Sequence, residues 1–171
     1  LMHAIEHHIL KTKSNLKVLY VSSEMFVNEM VSALRKNDLR NENNMGEFRR
    51  KYREIDVLLI DDIQFLENKA SIQEEFFNTF NTLYTLNKQI IISSDRPPNK
   101  LVNMDVRLRS RFQWNLVADI TPPDYETRVA ILINRAELDN IEIDEDMNDV
   151  INLIAEKIQE NVRELEGALT R

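Results

Sequence analysis

The chain has 171 residues, 43% of them apolar and 30% charged, with a formal net charge of −7 and no cysteine. This describes one globular domain, or one with a small appendage, and is too apolar for a disordered chain. It excludes disulfides, a thiolate metal site and a uniformly basic nucleic-acid-gripping domain, so any nucleic-acid contact must be local or supplied elsewhere. No apolar run approaches the roughly 18 residues of a membrane span. Leu1 to Leu10 hold Glu6 and three histidines, which is not a secretory signal. The lack of cysteine fits a cytoplasmic protein.

The first element expected is a helix from Leu1 to Lys13, with Leu1, Ile5, His8 and Ile9 near one face. It opens without a cap or turn signal. Lys17–Ser22 (KVLYVS) is short and rich in β-branched and aromatic residues, the pattern of a strand. Ser22 and Ser23 offer an N-cap for a helix carrying Phe26, Val27, Met30, Val31 and Leu34 at helical spacing. A polar loop is expected over Asn37–Met45, then a short basic helix over Gly46–Arg53.

Val57–Ile60 (VLLI) is a continuous apolar run, the mark of a strand buried on both faces, and it ends in Asp61-Asp62. A long helix follows over Ile72–Leu86, with Phe76, Phe77, Phe80 and Leu83 inward. Gln89–Ile92 predicts a second buried strand ending in Ser93-Ser94-Asp95. A short arginine-rich helix over Asp105–Phe112 and a strand over Trp114–Ile120 come next. Thr121-Pro122-Pro123-Asp124 is the clearest boundary. Beyond it the pattern is all helical: Tyr125–Leu138, Asp146–Gln159 and Val162–Arg171, the last with Asn161 and Glu164 as a capping box.

Strands alternating with helices imply a parallel α/β sheet with right-handed crossovers. Ligands of such sheets bind beyond the carboxyl ends of the strands. Here those ends are Ser22-Ser23, Asp61-Asp62 and Ser93-Ser94-Asp95, three polar tips converging on one rim. The chain has only two glycines, Gly46 and Gly167, and neither lies in a glycine-rich loop, so no phosphate-cradling loop is present in these residues.

Four patterns carry candidate chemistry. VLLIDDIQ, residues 57–64, fits a Walker B strand: a rigid buried strand holds Asp61 toward magnesium, with Asp62 beside an attacking water. It also fits a strand end capped by two solvated acids. IIISSDR, residues 90–96, puts polar groups at the tip of a neighbouring strand, to sense a phosphate or simply to turn the chain. Arg107, Arg109 and Arg111 on one short helix offer forked donors for a phosphate in a neighbouring subunit, or a solvated basic face. Arg163, in the first turn of the last helix, could reach a nucleotide phosphate or pair with Glu166. His3, His7 and His8 find no further ligands downstream, and no nucleophile–His–Asp set is visible.

In order, VLLIDDIQFL, QEEFFNTFN, QIIISSDRPP, RLRSRF, TPPDYETRVAIL and NVRELEGAL resemble the AAA+ module of the DnaA family of bacterial replication initiators, over nearly the whole chain. The resemblance implies a three-layer AAA+ α/β core over residues 1–122 and a small helical lid over 123–171. It implies ATP or ADP with Mg2+ as cofactors and slow ATP hydrolysis. Asp61 would be the magnesium ligand, Asp62 the catalytic acid and Asp95 sensor 1. Arg111 would act as an arginine finger on the next subunit's ATP, with Arg107 another inter-subunit contact, and Arg163 as sensor 2. The helix around Phe26–Leu34 and its following insertion would match the initiator-specific helices, with Val31 and Lys69 at single-stranded DNA contacts.

Implied partners are further copies in a head-to-tail filament, origin DNA, the replicative helicase and its regulators, and acidic phospholipids. The location would be the cytoplasm, at the nucleoid. The alternative function is a DnaA-like regulator or helicase loader acting by protein contact. By the same resemblance, the strand and loop bearing GxxGxGKT would precede Leu1, and a helix-turn-helix for double-stranded DNA would follow Arg171. The slice would then be unstable alone. Three positions depart from the family pattern: Ser71 stands where a basic residue is frequent, Asn115 where SRFxWGL has glycine, and Val106 where aspartate is frequent.

Overall fold

The computed structural model describes residues 1–36 and 44–169 and divides into two compact units, Leu1–Val117 and Ala118–Arg171. The first is built on three parallel strands, β1 (Val18–Ser22), β2 (Val57–Asp61) and β3 (Gln89–Ile92), in the spatial order β1-β2-β3. Val18 pairs with Val57 and Ser22 with Asp61, while Leu58 pairs with Ile90.

Strand alternation sorts these residues onto two faces. Val57 and Leu59 lie against α1 (Met2–Thr12), whose Met2, Ile5 and Ile9 complete that layer. Leu58 and Ile60 face the opposite layer, made by α2 (Ser23–Lys36), α3 (Asn44–Arg53), α4 (Ala70–Thr85) and α5 (Val106–Trp114). The result is the expected three-layer α/β core. Its centre is aromatic: the Phe26 ring lies 4.8 Å from Tyr52 and 5.5 Å from Phe76, both edge-on, the arrangement that ring quadrupoles favour.

Of the three buried polar side chains on α4, Glu75 and Gln73 are hydrogen-bonded, while the Thr79 hydroxyl has no partner among the described residues. Glu75 accepts from Arg49 Nε and Nη2, both at 3.1 Å, and from Arg53 Nη2 at 2.6 Å, which staples α3 to α4. Gln73 bonds backbone groups of Leu66, Asn103 and Asp105, the last two distant in sequence. A buried polar group left without such bonds would destabilise the fold by about 1–3 kcal/mol.

Several elements differ from expectation. On α1, Met2 rather than Leu1 or His8 faces the sheet, and both of those are exposed. Asn44 and Met45 begin α3 instead of closing the polar loop, whose residues 37–43 lie outside the described residues. Of the two apolar strands only β2 is fully buried. The outer strand β3 is half-buried, with Gln89 exposed, because β2 flanks it on one side. No strand forms over Trp114–Ile120. Trp114 ends α5, and Leu116 is 96% exposed. A strand needs a neighbour's backbone groups, and no described strand lies alongside this segment.

The second unit contains α6 (Tyr125–Leu138), α7 (Glu145–Lys157) and α8 (Val162–Leu169) around Leu132, Ile151, Ala155 and Leu165. Asp124, Asp144 and Asn161 cap them through side-chain oxygens at 2.8, 2.8 and 3.0 Å from backbone N–H groups. Arg128 is buried and forms no ion pair among the described residues; it donates to the carbonyls of Ala155 and Pro123, both at 2.8 Å. Thr170 and Arg171, expected in the last helix, lie outside the described residues. No helix among the described residues is long and apolar enough to cross a membrane.

Candidate functional site

The site begins where β2 stops. Asp61 closes the strand, and Asp62 turns the chain at φ 57°, ψ 54°, into a 3-10 turn over Ile63–Leu66. The left-handed region is open to aspartate more readily than to most residues, because its short side chain bonds locally. Ser93, just past β3, holds the turn. Its Oγ accepts the Asp62 N–H at 2.9 Å, its carbonyl accepts the Ile63 N–H at 3.0 Å, and its own N–H donates to the Ile60 carbonyl at 3.0 Å.

The Asp61 carboxylate receives two hydroxyls. Ser93 Oγ donates to Oδ1, and Tyr20 Oη donates to Oδ2 at 3.1 Å. Burial first, and then Asp61, pushes the Tyr20 phenol above its ordinary value, so it remains a donor at neutral pH. The His3 ring, in the first turn of α1, packs 4.3 Å from the Tyr20 ring. Asp61 has no ion pair with any cationic side chain among the described residues. Two neutral donors orient it and leave its charge for a cation.

Asp62 is exposed, and Gln64 Nε2 donates to its Oδ1 at 3.0 Å. Gln64 Oε1 in turn accepts the Asp95 N–H at 3.4 Å. The Asp95 carboxylate is engaged elsewhere, in a bidentate pair with Arg96 at 2.8 Å for both bonds, which holds it below the usual carboxylate range. Ser93, just past β3, is therefore the group at the end of that strand that touches Asp61.

The arginines of α5 differ in their partners. Arg107 binds Asp105 bidentately, at 2.8 Å through Nη2 and 3.1 Å through Nε, and lies 4.4 Å over the Phe77 ring. That pair holds the Asp105 carboxyl below its ordinary range. Arg111 lies 5.1 Å over the Tyr84 ring and has no carboxylate partner among the described residues. Arg163 is exposed in the first turn of α8, and the ion pair with Glu166 is not formed. Val31 is half-buried and packs on the main core. Lys69 is exposed, with its ammonium donating to the Phe65 carbonyl.

Tyr20 and Ser93 were not distinguishable in sequence as partners of Asp61. Tyr20 shares strand parity with Ser22, the residue in register with Asp61, but that register exists only once the strands pair. Substituting Tyr20→Phe removes one orienting hydroxyl. Outer partners of metal-binding carboxylates typically contribute 10- to 100-fold in metal affinity. On the reading of Asp61 as a magnesium ligand proposed below, the magnesium concentration for half-maximal ATP turnover by the full-length protein is expected to rise about 10-fold, read by titrating magnesium at saturating ATP.

The described residues contain no cluster of three or more His, Cys, Asp or Glu side chains able to hold a metal. A protein-enclosed ion would not fit here. One oriented, uncompensated carboxylate does fit magnesium, which takes few protein ligands and keeps phosphate oxygens and waters.

Residues 1–119 match the family model for the bacterial DnaA ATPase domain. The chain belongs to the DnaA family. It is 59% identical over all 171 residues to the chromosomal replication initiator protein DnaA of Caldanaerobacter subterraneus subsp. tengcongensis, and 58% identical to that of a Thermoanaerobacter species. In each case it spans 37% of the relative's length. Domain III of the Thermotoga maritima replication initiation protein DnaA superposes with a TM-score of 0.88 at 42% identity, covering 99% of this chain and 67% of that one. The AMPPCP-bound DnaA from Aquifex aeolicus gives 0.83 at 38%, covering 99% and 49%. A DnaA structure bound to AMPPCP and single-stranded DNA gives the same values. The α/β architecture is thus the AAA+ fold of DnaA.

Proposed function

We propose that this DnaA-family chain is the ATP-responsive assembly module of a bacterial chromosomal replication initiator. In this reading residues 1–122 form the nucleotide core and 123–171 the lid. The observation that carries it is Asp61: a carboxylate fixed at the end of a buried strand by two hydroxyls and without a cationic partner among the described residues. Asp61 would hold magnesium against the phosphates of ATP, and the ion would supply charge neutralisation there when bound. Asp62, steadied by Gln64, would orient the attacking water. Asp95 would report the state of the terminal phosphate, and Arg163 would act as sensor 2.

Arg111, with no carboxylate partner among the described residues, would complete the site of a neighbouring copy, with Arg107 supporting the contact. Such a contact is heterologous, and head-to-tail repetition builds an open helical filament. Slow hydrolysis would make ATP a switch for this assembly. Val31 and Lys69 would lie along single-stranded origin DNA. With a net charge of −7, few cations contribute, so the contact would be weakened by salt.

A labelled single-stranded oligonucleotide tests the reading. The full-length protein is expected to bind it tightly with ATP and at least about 10-fold more weakly with ADP, the size of a coupling of about 1.4 kcal/mol. Equal affinity with both nucleotides would refute the switch.

A further inference from the structure

Gln73 is 4% exposed in the first turn of α4, and three segments meet on its amide. Nε2 donates to the Leu66 carbonyl at 2.7 Å and to the Asn103 carbonyl at 2.9 Å. Oε1 accepts the Asp105 N–H at 2.7 Å. A neutral amide has two donors and one acceptor oxygen, so both donors and the oxygen are engaged. Leu66 ends the turn that Asp62 starts. Asn103 lies in the loop leading to α5, and Asp105 is the residue that caps α5, the helix of Arg107 and Arg111.

A second set of bonds runs between the same places. Gln64 links Asp62 to the Asp95 backbone. Asp95 pairs with Arg96, which lies 3.7 Å from Glu67, and Glu67 Oε1 accepts the Asn103 N–H at 3.1 Å. The Asn68 N–H donates to the Asn103 carbonyl at 3.2 Å. The acidic rim and the approach to α5 are thus joined by a continuous polar network, and its buried node is Gln73.

We propose that Gln73 is a positioning residue for the trans-acting arginine: it fixes α5 to the Asp61–Asp62 turn, so that Arg111 is presented to the neighbouring subunit at a set height above the rim. The inference rests on the reading of Arg111 given above. Packing alone does not require an amide at this position, since Phe76, Phe80 and Leu83 already anchor α4 in the core. What the amide adds is a link between backbone groups of three segments. A network of this kind carries coupling between sites when its members are bound to one another, and coupling is read by combining variants.

The test uses the full-length protein with Gln73→Met, which keeps the side chain's length and removes its bonds. ATP affinity is expected to stay within about twofold of wild type, while ATP turnover and ATP-dependent assembly fall at least about 10-fold, the scale of one coupling free energy. Mixing separates donor from acceptor. Turnover should recover when Gln73→Met subunits are mixed with Asp61→Asn subunits, whose arginine helix is intact. It should not recover with Arg111→Ala subunits.

Wild-type assembly by Gln73→Met alongside failure of Arg111→Ala would overturn the inference and leave the finger reading standing. Wild-type assembly by Arg111→Ala would overturn both. Weakened ATP binding at unchanged melting temperature would assign Gln73 to its own subunit's nucleotide and also overturn the inference. Should Gln73→Met melt below the assay temperature, the same readings are made below its melting temperature, against wild type at that temperature.

Discussion

ATP turnover by the full-length protein is expected to fall at least about 100-fold on Asp61→Asn. The lower bound follows from outer partners of metal ligands, whose loss alone typically reaches 100-fold, so the ligand itself must contribute no less. The substitution keeps the size of the side chain and one acceptor. It removes the charge and turns an N–H2 toward one of the two hydroxyls, Ser93 Oγ or Tyr20 Oη, which now donate to different carboxylate oxygens. That hydroxyl can rotate to accept while the other still donates to the remaining oxygen, so the strand end is expected to keep its fold. Turnover measured against magnesium concentration separates this effect from unfolding. A variant with wild-type turnover would remove Asp61 from the metal.

The second large effect is expected at Arg111. Guanidinium groups delivered to a transferring phosphoryl group contribute about 10³- to 10⁵-fold in turnover. Arg111→Ala is therefore expected to reduce ATP turnover about 1000-fold relative to the assembled wild type. ATP affinity of the isolated subunit should be unchanged, because the group acts on a neighbour's nucleotide. The structure gives the reason to choose Arg111 over Arg107. Arg107 is paired with Asp105, the N-cap of its helix, whereas Arg111 rests on the Tyr84 ring and has no carboxylate partner among the described residues. An aromatic face holds a guanidinium in place without cancelling its charge. Sedimentation with ATP reads the assembly defect independently, and normal filaments from Arg111→Ala would assign the finger to another residue.

Much of the core was legible because periodicity and composition agreed there. The VLLI run ahead of two aspartates marked β2 and the site together. The spacing of Phe76, Phe80 and Leu83 marked the buried face of α4. Phe77 broke that pattern: it is half-buried and lies beneath Arg107 instead of in the centre of the core. Apolar runs alone did not separate β2 from β3, since burial depends on which strand has two neighbours. The same limit explains Trp114–Ile120. Its residues have strand character, but character does not supply hydrogen-bonding partners.

The site was half legible. Asp61, Asp62 and the arginines stood out as charged residues at the ends of patterned segments. Tyr20, Ser93 and Gln73 did not, because their roles come from register and from contacts between residues about 30 or more apart in sequence. The surroundings of Asp95 show the same gap: its bidentate bond to Arg96 and the contact of Ser93 with Asp61 emerge only in three dimensions.

The central claim, a nucleotide switch that governs self-assembly, is tested most directly by sedimentation velocity of the full-length protein with magnesium and either ATP or ADP. Large, concentration-dependent assemblies with ATP and single subunits with ADP are the predicted result. The same size distribution with both nucleotides would contradict it.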